Sequence, residues 1–539
     1  MRVAVIGGGP IGLATAKCFG ERGFRPTLFE QEADIGGVWL YRDHADGLYA
    51  LSTLNSSPDR NFTVHSSCYQ SLVTNSSSLL TQFSDFPFVR EEEEEEEQTK
   101  ERSRRRGVSR PFFPTHEQIM RYLRAYVQAF NLQPMLRLDT RVLEVRRNSE
   151  RKSGGKEEGE WMVSTRHGQS QAVQTERFDA VMVCSGMFWD PNVPSFVGQD
   201  KFKGVMLHSH YYRKEEAYRG KRVLLVGIGN SALDISTELV GVAKSVLLSA
   251  RSGHLILNVA DDNGDPLDCQ FLTRETQHLP ASEAALRFAQ WTGHCTQTFI
   301  RHGMPMPHPN VQKNSYSILK RHNEYLQFLE DGKVRIFPDI NSITSPHTVR
   351  FIDGREEDVD VIILCTGYRM GFPFLSSSAS SSDLTPGLEE GRLDVYKRVM
   401  HPLYPSLCFI GQLDTIGSAF VVGEMQARWA AHLLKAYFDP SSSSSAFPSE
   451  AQRRKDAEQR KAKLRSTRPK YPLFISYWTY MDDLARDIGC CPSPSLSSSN
   501  EEAKRSVMEQ LKKGPICAAQ YRLQGPCPWN DAERMLAKL

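Results

Sequence analysis

Short apolar runs, each closed by glycine or a polar residue, are the strongest pattern along this chain. Arg2–Ile6 reads as a buried strand, Ile11–Arg22 as a helix that stops at Gly23, and Pro26–Phe29 as a second strand. The same order returns at Arg222–Val226 (strand), Ser231–Leu239 (helix) and Ser245–Leu248 (strand). Strand, helix and strand in this order make a βαβ unit, so two parallel-sheet nuclei are expected.

Two further runs echo each other. Asp179–Gly186 and Asp360–Gly367 both open with Asp, continue apolar, and end in a small hydroxyl residue and Gly. Each is expected to close one sheet, covered on both faces, and to deliver its C-terminal end to a ligand crevice. Between the second unit and Asp360 lies a mixed region, Gly253–Asp339, with helices expected at Glu283–Thr292 and Ser317–Glu330. The block Glu91–Glu97, the charged stretch to Arg110, and the serine tracts Ser376–Ser382, Ser441–Ser445 and Ser493–Ser499 cannot bury enough apolar area to offset chain entropy. They read as surface insertions. The fold expected is α/β, with two Rossmann-like dinucleotide-binding domains, the second inserted into the first. Residues 1–200 and 356–539 make up the first, 201–355 the second with its helical insertion.

Composition narrows the class. The chain has 539 residues, too many for one ordinary core, and a formal net charge of +2. That charge argues against a general nucleic-acid binder, and the basic runs Arg102–Arg106 and Arg453–Lys463 have acids close by. Eleven cysteines without a C-x-x-C pair, two of them adjacent at Cys490 and Cys491, fit neither a disulfide framework nor a zinc knuckle. A reducing compartment follows. No apolar run approaches the roughly 20 residues of a membrane helix. The first apolar stretch runs straight into a glycine loop, so it belongs to the fold and not to a signal peptide. A cytoplasmic protein is expected. Its alternatives are a peroxisomal one, because Ala537-Lys538-Leu539 resembles the S-K-L address, or one peripheral on the endoplasmic reticulum.

The glycine loops carry the chemistry. Gly7-Gly8-Gly9-Pro10-Ile11-Gly12 fits G-x-G-x-x-G between a strand and a helix. Gly7 makes the tight turn, Gly9 lets the backbone approach a pyrophosphate, and Gly12 lets helix and strand pack closely. Glu30 ends the next strand, where an acid accepts from both ribose hydroxyls. The second loop is Gly227-Ile228-Gly229-Asn230-Ser231-Ala232, and its following strand ends in Arg251 instead of an acid. A carboxylate there would repel a 2′-phosphate, whereas a guanidinium holds it in a fork; surface charge is the plain alternative. One nucleotide with a free diol and one with a 2′-phosphate points to FAD and NADPH.

These residues, with several more, give the chain a resemblance to the flavin-containing monooxygenases. Gly36-Gly37-Val38-Trp39 looks like the family's G-G-x-W turn. Phe202, Gly204, His208 and Tyr212 match its identifying pattern F-x-G-x-x-x-H-x-x-x-(Y/F/W), and the second loop with Asp234 is similar to G-x-G-N-S-x-x-D. Cys365-Thr366-Gly367-Tyr368 followed by Phe372-Pro373-Phe374 resembles its linker signature. The match continues through Gly417-Ser418, Glu424–Trp429, Tyr480–Ala485 and Gln520–Leu523. Tyr212 in place of Trp favours the N- and S-oxygenating group. Val64-His65-Ser66-Ser67 leading to Ser71–Asn75 is like plant and microbial members.

The resemblance implies an FAD- and NADPH-dependent monooxygenase that forms a flavin hydroperoxide and oxygenates soft nitrogen or sulfur atoms of small molecules. Its partners would be O2 and a small amine or sulfur compound, with a homodimer left open. Such an electrophile needs position and dryness more than a base, in keeping with the lack of a triad or metal set. Asn75 is implied as the catalytic residue, steadying the oxygenated flavin or the nicotinamide. Cofactor contacts are implied at Gly37, Val38, Trp39, Thr74, Asn75, Asp234 and Gln412 beside the two loops. His208 is expected to orient the interdomain segment, and Cys184 and Cys365 to be inert core thiols. A disulfide reductase is disfavoured, because no redox-active Cys pair is spaced for it. A Baeyer–Villiger monooxygenase, or a flavin-binding NADPH oxidase or sensor without oxygenated product, are the alternatives.

Overall fold

The computed structural model describes residues 1–43, 66–89, 111–147, 161–307, 316–320, 322–375, 384–439, 441, 447–467, 473–493 and 501–539. The acidic insertion at 91–110 lies outside them, as do the serine tracts apart from Ser441 and Ser493, and so do Val64 and His65.

Two five-stranded parallel sheets organise the chain. In the first, Arg2–Ile6 lies between Arg25–Phe29 and Ala180–Val183, with Leu136–Arg137 and Leu407–Phe409 on the outside. In the second, Arg222–Val226 lies between Ser245–Ser249 and Val361–Leu364, flanked by Val334–Phe337 and Val205–His208. The inner strands are apolar on both faces and, beyond first residues such as Arg2, Arg25 and Arg222, almost wholly buried, as parallel strands covered by helices must be. The two echoing runs close the two sheets as expected. Val3 pairs with Ala180 and Ile6 with Val183, while Val223 pairs with Val361 and Val226 with Leu364.

The second sheet takes Val361–Leu364 from beyond residue 355, where the sequence had suggested that the second unit ends. That run is apolar on both faces and finds its cover only between strands of the second sheet. A three-stranded antiparallel meander precedes each closing strand, Thr140–Phe178 in the first unit and Ile340–Asp358 in the second. The repeat therefore runs deeper than the glycine loops.

The mixed region departs further from the sequence reading. The helix expected at Glu283–Thr292 runs over Ala281–Arg301. Ser317–Glu330 is not one helix. Tyr316–Leu319 is a strand paired in parallel with Leu255–Asn258, and helix starts again at His322. A four-residue strand is too short to impose a readable period, so the helical pattern behind it dominates.

The C-terminal part closes over the first unit. The helix Ala419–Phe438 packs on Pro10–Glu21, with Gly423 against Ile11, where a Cβ would come within 2.7 Å of the isoleucine side chain. Arg522 then anchors the last segment. Its buried guanidinium reaches Asp85 (3.0 Å), Glu424 (3.3 Å) and the Ser84 Oγ (2.6 Å), while Lys17 pairs with Asp85 from the first helix. The Glu424 carboxylate also accepts from the Ser84 amide at 2.8 Å. Removing a single cation from such a cluster leaves buried carboxylates uncompensated, which costs about 3–5 kcal/mol. Arg522→Met is expected to lose about that much stability in chemical denaturation. A loss of less than about 1 kcal/mol would mean that Lys17 alone balances both acids.

Candidate functional site

The backbone geometry of the first loop follows from its glycines. Gly7 sits at φ +111°, and a Cβ there would lie 2.6 Å from the Cys184 carbonyl oxygen. A Cβ on Gly12 would run into the Gly7 carbonyl. Only glycine permits both approaches. The second loop repeats the device, with Gly227 at φ +120° against the Cys365 carbonyl. Gly7 donates to the Phe29 carbonyl (2.8 Å) and Gly227 to that of Ser249 (2.9 Å).

Both loop helices, Pro10–Glu21 and Asn230–Leu239, start without a side-chain cap and without an acid in the first turn. The helix His116–Ala129 starts differently, with a capping box between Thr115 and Gln118 and with Glu117 in its first turn. Uncapped N–H groups and the positive end of the dipole are what an anion needs.

Above the first loop lies a cavity of about 380 Å³. Gly7, Gly9, Glu30, Gly37, Val38, Trp39, Thr74, Asn75 and Asn230 all line it, so it unites most of the first-loop expectations with one residue of the second loop. Glu30 is buried, and its oxygens accept from the amides of Gly8 (2.6 Å) and Glu32 (2.8 Å). Burial raises its carboxyl above the ordinary range, while those two amides pull it down. The Trp39 ring is held edge-on by Phe420, at 6.0 Å between centroids.

Asn75 stands on a segment that its neighbours hold. Thr74 donates its amide to Pro114 O (2.9 Å) and its hydroxyl to Ser76 O (2.8 Å), and the His116 amide donates to Leu72 O. The Asn75 amide has no hydrogen-bond partner among the described residues and is exposed at the cavity wall. Gln412 lies between the lining residues Gly411 and Leu413, buried, with both side-chain polar atoms unpartnered among the described residues. An amide left so costs about 1–3 kcal/mol, and a bound polar group would relieve it. Together with the close glycine backbone, this donor set fits a dinucleotide.

Gly12, Gly227, Gly229, Ser231, Ala232, Asp234 and Arg251 do not line this cavity. Gly12 acts from behind, by packing. Arg251 is exposed at the end of Ser245–Ser249, with no side-chain partner among the described residues. Asp234, expected to touch a cofactor, is occupied by the protein itself: it accepts from Tyr69 Oη at 2.5 Å and from Lys320 Nζ at 2.6 Å. Lys320 Nζ also donates to Val73 O at 2.7 Å. Asp234 and Lys320 thus tie the Asn75 segment to the second loop helix.

His208 is structural. Its Nε2 meets Gly367 O (3.0 Å) and its Nδ1 accepts from the His210 amide (3.1 Å), which uses both nitrogens. Burial, with His210 nearby, pushes it down to about 3, so it stays neutral. Burial likewise pushes the Cys184 and Cys365 thiols up to about 12. Sequence reasoning missed most of the far wall, where Asn258, Asp268 and Trp291 of the second unit and Thr415–Phe420 of the C-terminal part complete the cavity. Only Gly417-Ser418 among them falls in a motif, and that motif carried no site assignment.

A family profile described as Flavin-binding monooxygenase-like matches residues 1–538. Flavin-containing monooxygenase 5 of Rattus norvegicus is 30% identical, over 99% of this chain and 91% of its own. Dimethylaniline monooxygenase [N-oxide-forming] 2 of Mus musculus is 31% identical over the same shares. The solved structure of S-allyl-L-cysteine S-oxygenase from Allium sativum superposes with a TM-score of 0.63 at 25% identity, covering 95% of this chain and 92% of that one. Among the described residues no helix is long and apolar enough to cross a membrane.

A second tie between the Asn75 segment and the second loop helix runs through Glu238, which accepts from Ser71 Oγ and from Tyr212 Oη (2.7 Å). Burial raises its carboxyl from 4.5 to about 7, helped by Asp234 and Glu215 and opposed by the two hydroxyls. The folded chain then holds this proton more tightly than the unfolded chain. The stability it contributes is complete below the unfolded value and is lost as pH rises through the folded one. The thermal midpoint is expected to fall more steeply between about pH 5 and about pH 7.5 in the wild type than in Glu238→Gln. Parallel midpoint curves for the two proteins would show that Glu238 ionises normally.

Proposed function

The chain belongs to the flavin-binding monooxygenases, and on that premise we propose that it uses FAD and NADPH to place one oxygen atom of O2 on a nitrogen or sulfur atom of a small molecule. The observation that carries this reading is one cavity walled by the first glycine loop, Glu30, the Gly37–Trp39 turn and Asn75. Between them, bound FAD and NADPH would supply two electrons and activate O2, one oxygen leaving as water.

The residues of the chain bind, orient and exclude. The N-terminus of Pro10–Glu21 would hold the FAD pyrophosphate, and Glu30 would accept from its ribose diol. Gln412 would offer its buried amide to the flavin ring. Arg251, next to the second loop, holds the 2′-phosphate of NADPH, and the N-terminus of Asn230–Leu239 its pyrophosphate. Asn75 would offer its neutral amide, both donor and acceptor, to the oxygen activated there. Val38, Leu72, Val259 and Trp291 keep water from the cavity. The described wall has no nucleophile paired with a base, in keeping with chemistry that the cofactor provides. N- and S-oxygenation are both supported, since similar proteins are described as N-oxide-forming and as an S-oxygenase.

Asn75→Leu, with FAD occupancy checked by absorbance, is expected to uncouple the enzyme. NADPH is still consumed, hydrogen peroxide accumulates, and oxygenated product per NADPH falls, by about 2.7–4 kcal/mol of lost stabilisation in the oxygen-transfer step. Normal coupling in flavin-replete Asn75→Leu would reduce this residue to a turn former.

Arg251→Ala is expected to raise KM for NADPH by one to two orders of magnitude, about 1.4–3 kcal/mol, and to leave that for NADH nearly unchanged. Equal losses with both coenzymes would remove Arg251 from phosphate recognition.

A further inference from the structure

The segment that carries Asn75 is held on two sides. An isolated antiparallel bridge joins Val73 to Thr115 of the first unit, with the His116 amide donating to Leu72 O and the Thr74 amide to Pro114 O, both at 2.9 Å. The bonds of this pair fall on the neighbours of Val73, so the carbonyl of Val73 itself points away from Thr115. On that far side it accepts from Lys320 Nζ at 2.7 Å.

Lys320 directly follows the strand Tyr316–Leu319, which is fastened to the second glycine loop. Ser317 Oγ donates to Ile228 O at 2.6 Å, and the Ile318 amide to Asn230 Oδ1 at 2.8 Å. Lys320 Nζ also lies 2.6 Å from Asp234 Oδ2, on the helix that this loop opens. Val73, Asn75, Asn230 and Ile318 all line the cavity. A short stretch from Ile318 to Lys320 therefore joins the loop to the Asn75 segment. Neutralising Asp234 needs one contact from the ammonium. The second, to a carbonyl of the other unit, fixes where that carbonyl stands.

We propose that Lys320 is a positioning residue, which sets Asn75 relative to the second glycine loop. The proposal rests on the function proposed above and concerns how that site is aligned. Lys320 does not itself line the cavity, and it acts through Val73, two residues before Asn75. Without its Nζ the segment keeps its pairing with Thr115 and loses its reference to the loop that would hold NADPH.

The test uses flavin-loaded protein with thioanisole, reading sulfoxide formed per NADPH. Lys320→Met removes the grip on Val73 but leaves Asp234 without its cation. Lys320→Met combined with Asp234→Asn is therefore made beside it, with neither charge present. Both are expected to form about tenfold less sulfoxide per NADPH than the wild type, with KM for NADPH within about twofold. Recovery of coupling in the neutralised pair overturns the proposal, because the fault then lies with the bare carboxylate. So does a further fall when Lys320→Met is added to Asn75→Leu, since a residue that acts through Asn75 has no effect once that amide is gone. A raised KM for NADPH with normal coupling makes Lys320 a brace of the second unit alone and likewise overturns it. Hydrogen exchange needs no turnover. Amides of residues 71–77 are expected to exchange about tenfold faster in the neutralised pair than in the wild type, with those of Pro10–Glu21 unchanged. Equal exchange in 71–77 refutes the role of Lys320. If the wild type oxygenates neither thioanisole nor trimethylamine, the function proposed above fails, and the exchange measurement still decides on Lys320.

Discussion

Two approaches of backbone to backbone, Gly7 against Cys184 and Gly227 against Cys365, set where everything else can stand. Each brings a glycine turn against the end of a closing strand, and each is possible only without a Cβ. Cys184 donates its amide to Ile6 O and Cys365 to Val226 O, both at 2.9 Å, so the closing strands reach the turns in matching register. With the turn fixed, the following helix must begin at the sheet's C-terminal edge, and its free N–H groups face the crevice. The two units obey the same constraint, although their sequences agree at few positions beyond the glycines and the apolar runs.

The chain then makes the two copies depend on each other. Asp234 stands on the second loop helix yet receives Tyr69 and Lys320, and Lys320 also grips Val73. The pairs are partly buried, with Lys320 and Asp234 side chains 16% and 10% exposed, so solvent screens them little. The Asn75 segment is therefore held from both sides, by Pro114 and His116 of the first unit and by Asp234, Lys320 and Glu238 across the crevice. A shift of the second unit on its coenzyme would be felt at Asn75 through two hydrogen-bonded carboxylates, Asp234 and Glu238.

What could be read in the sequence is what local physics dictates. The glycine loops, the acid Glu30 and the closing runs were legible because turn geometry and double-sided burial demand particular residues at fixed spacing. Asp234 was legible as a motif position but not in its role, because its partners Tyr69 and Lys320 come from segments far away in the chain. Asp268 and Trp291 gave no signal. Asp268 sits on the five-residue helix Leu267–Phe271, too short to show a period, and Trp291 reads as one aromatic among many on Ala281–Arg301. Their meaning comes from the cavity that the insertion roofs, which only the packed chain reveals. The strand Tyr316–Leu319 was hidden for the same reason, since its partner Leu255–Asn258 is as short and lies across the helix Ala281–Arg301.

The charges of the site also fall into two groups with separate tasks. On the proposed function, nucleotide anions would be matched by helix ends and by Arg251, none of which needs a Lys, Arg or His in the cavity wall. Lys320 neutralises Asp234, so that carboxylate does not cancel the positive end of the helix it stands on. Arg522, Lys17 and their acids are locked away together, with Arg522 and Lys17 side chains 1% and 3% exposed. The described wall of the cavity carries carboxylates and no Lys, Arg or His.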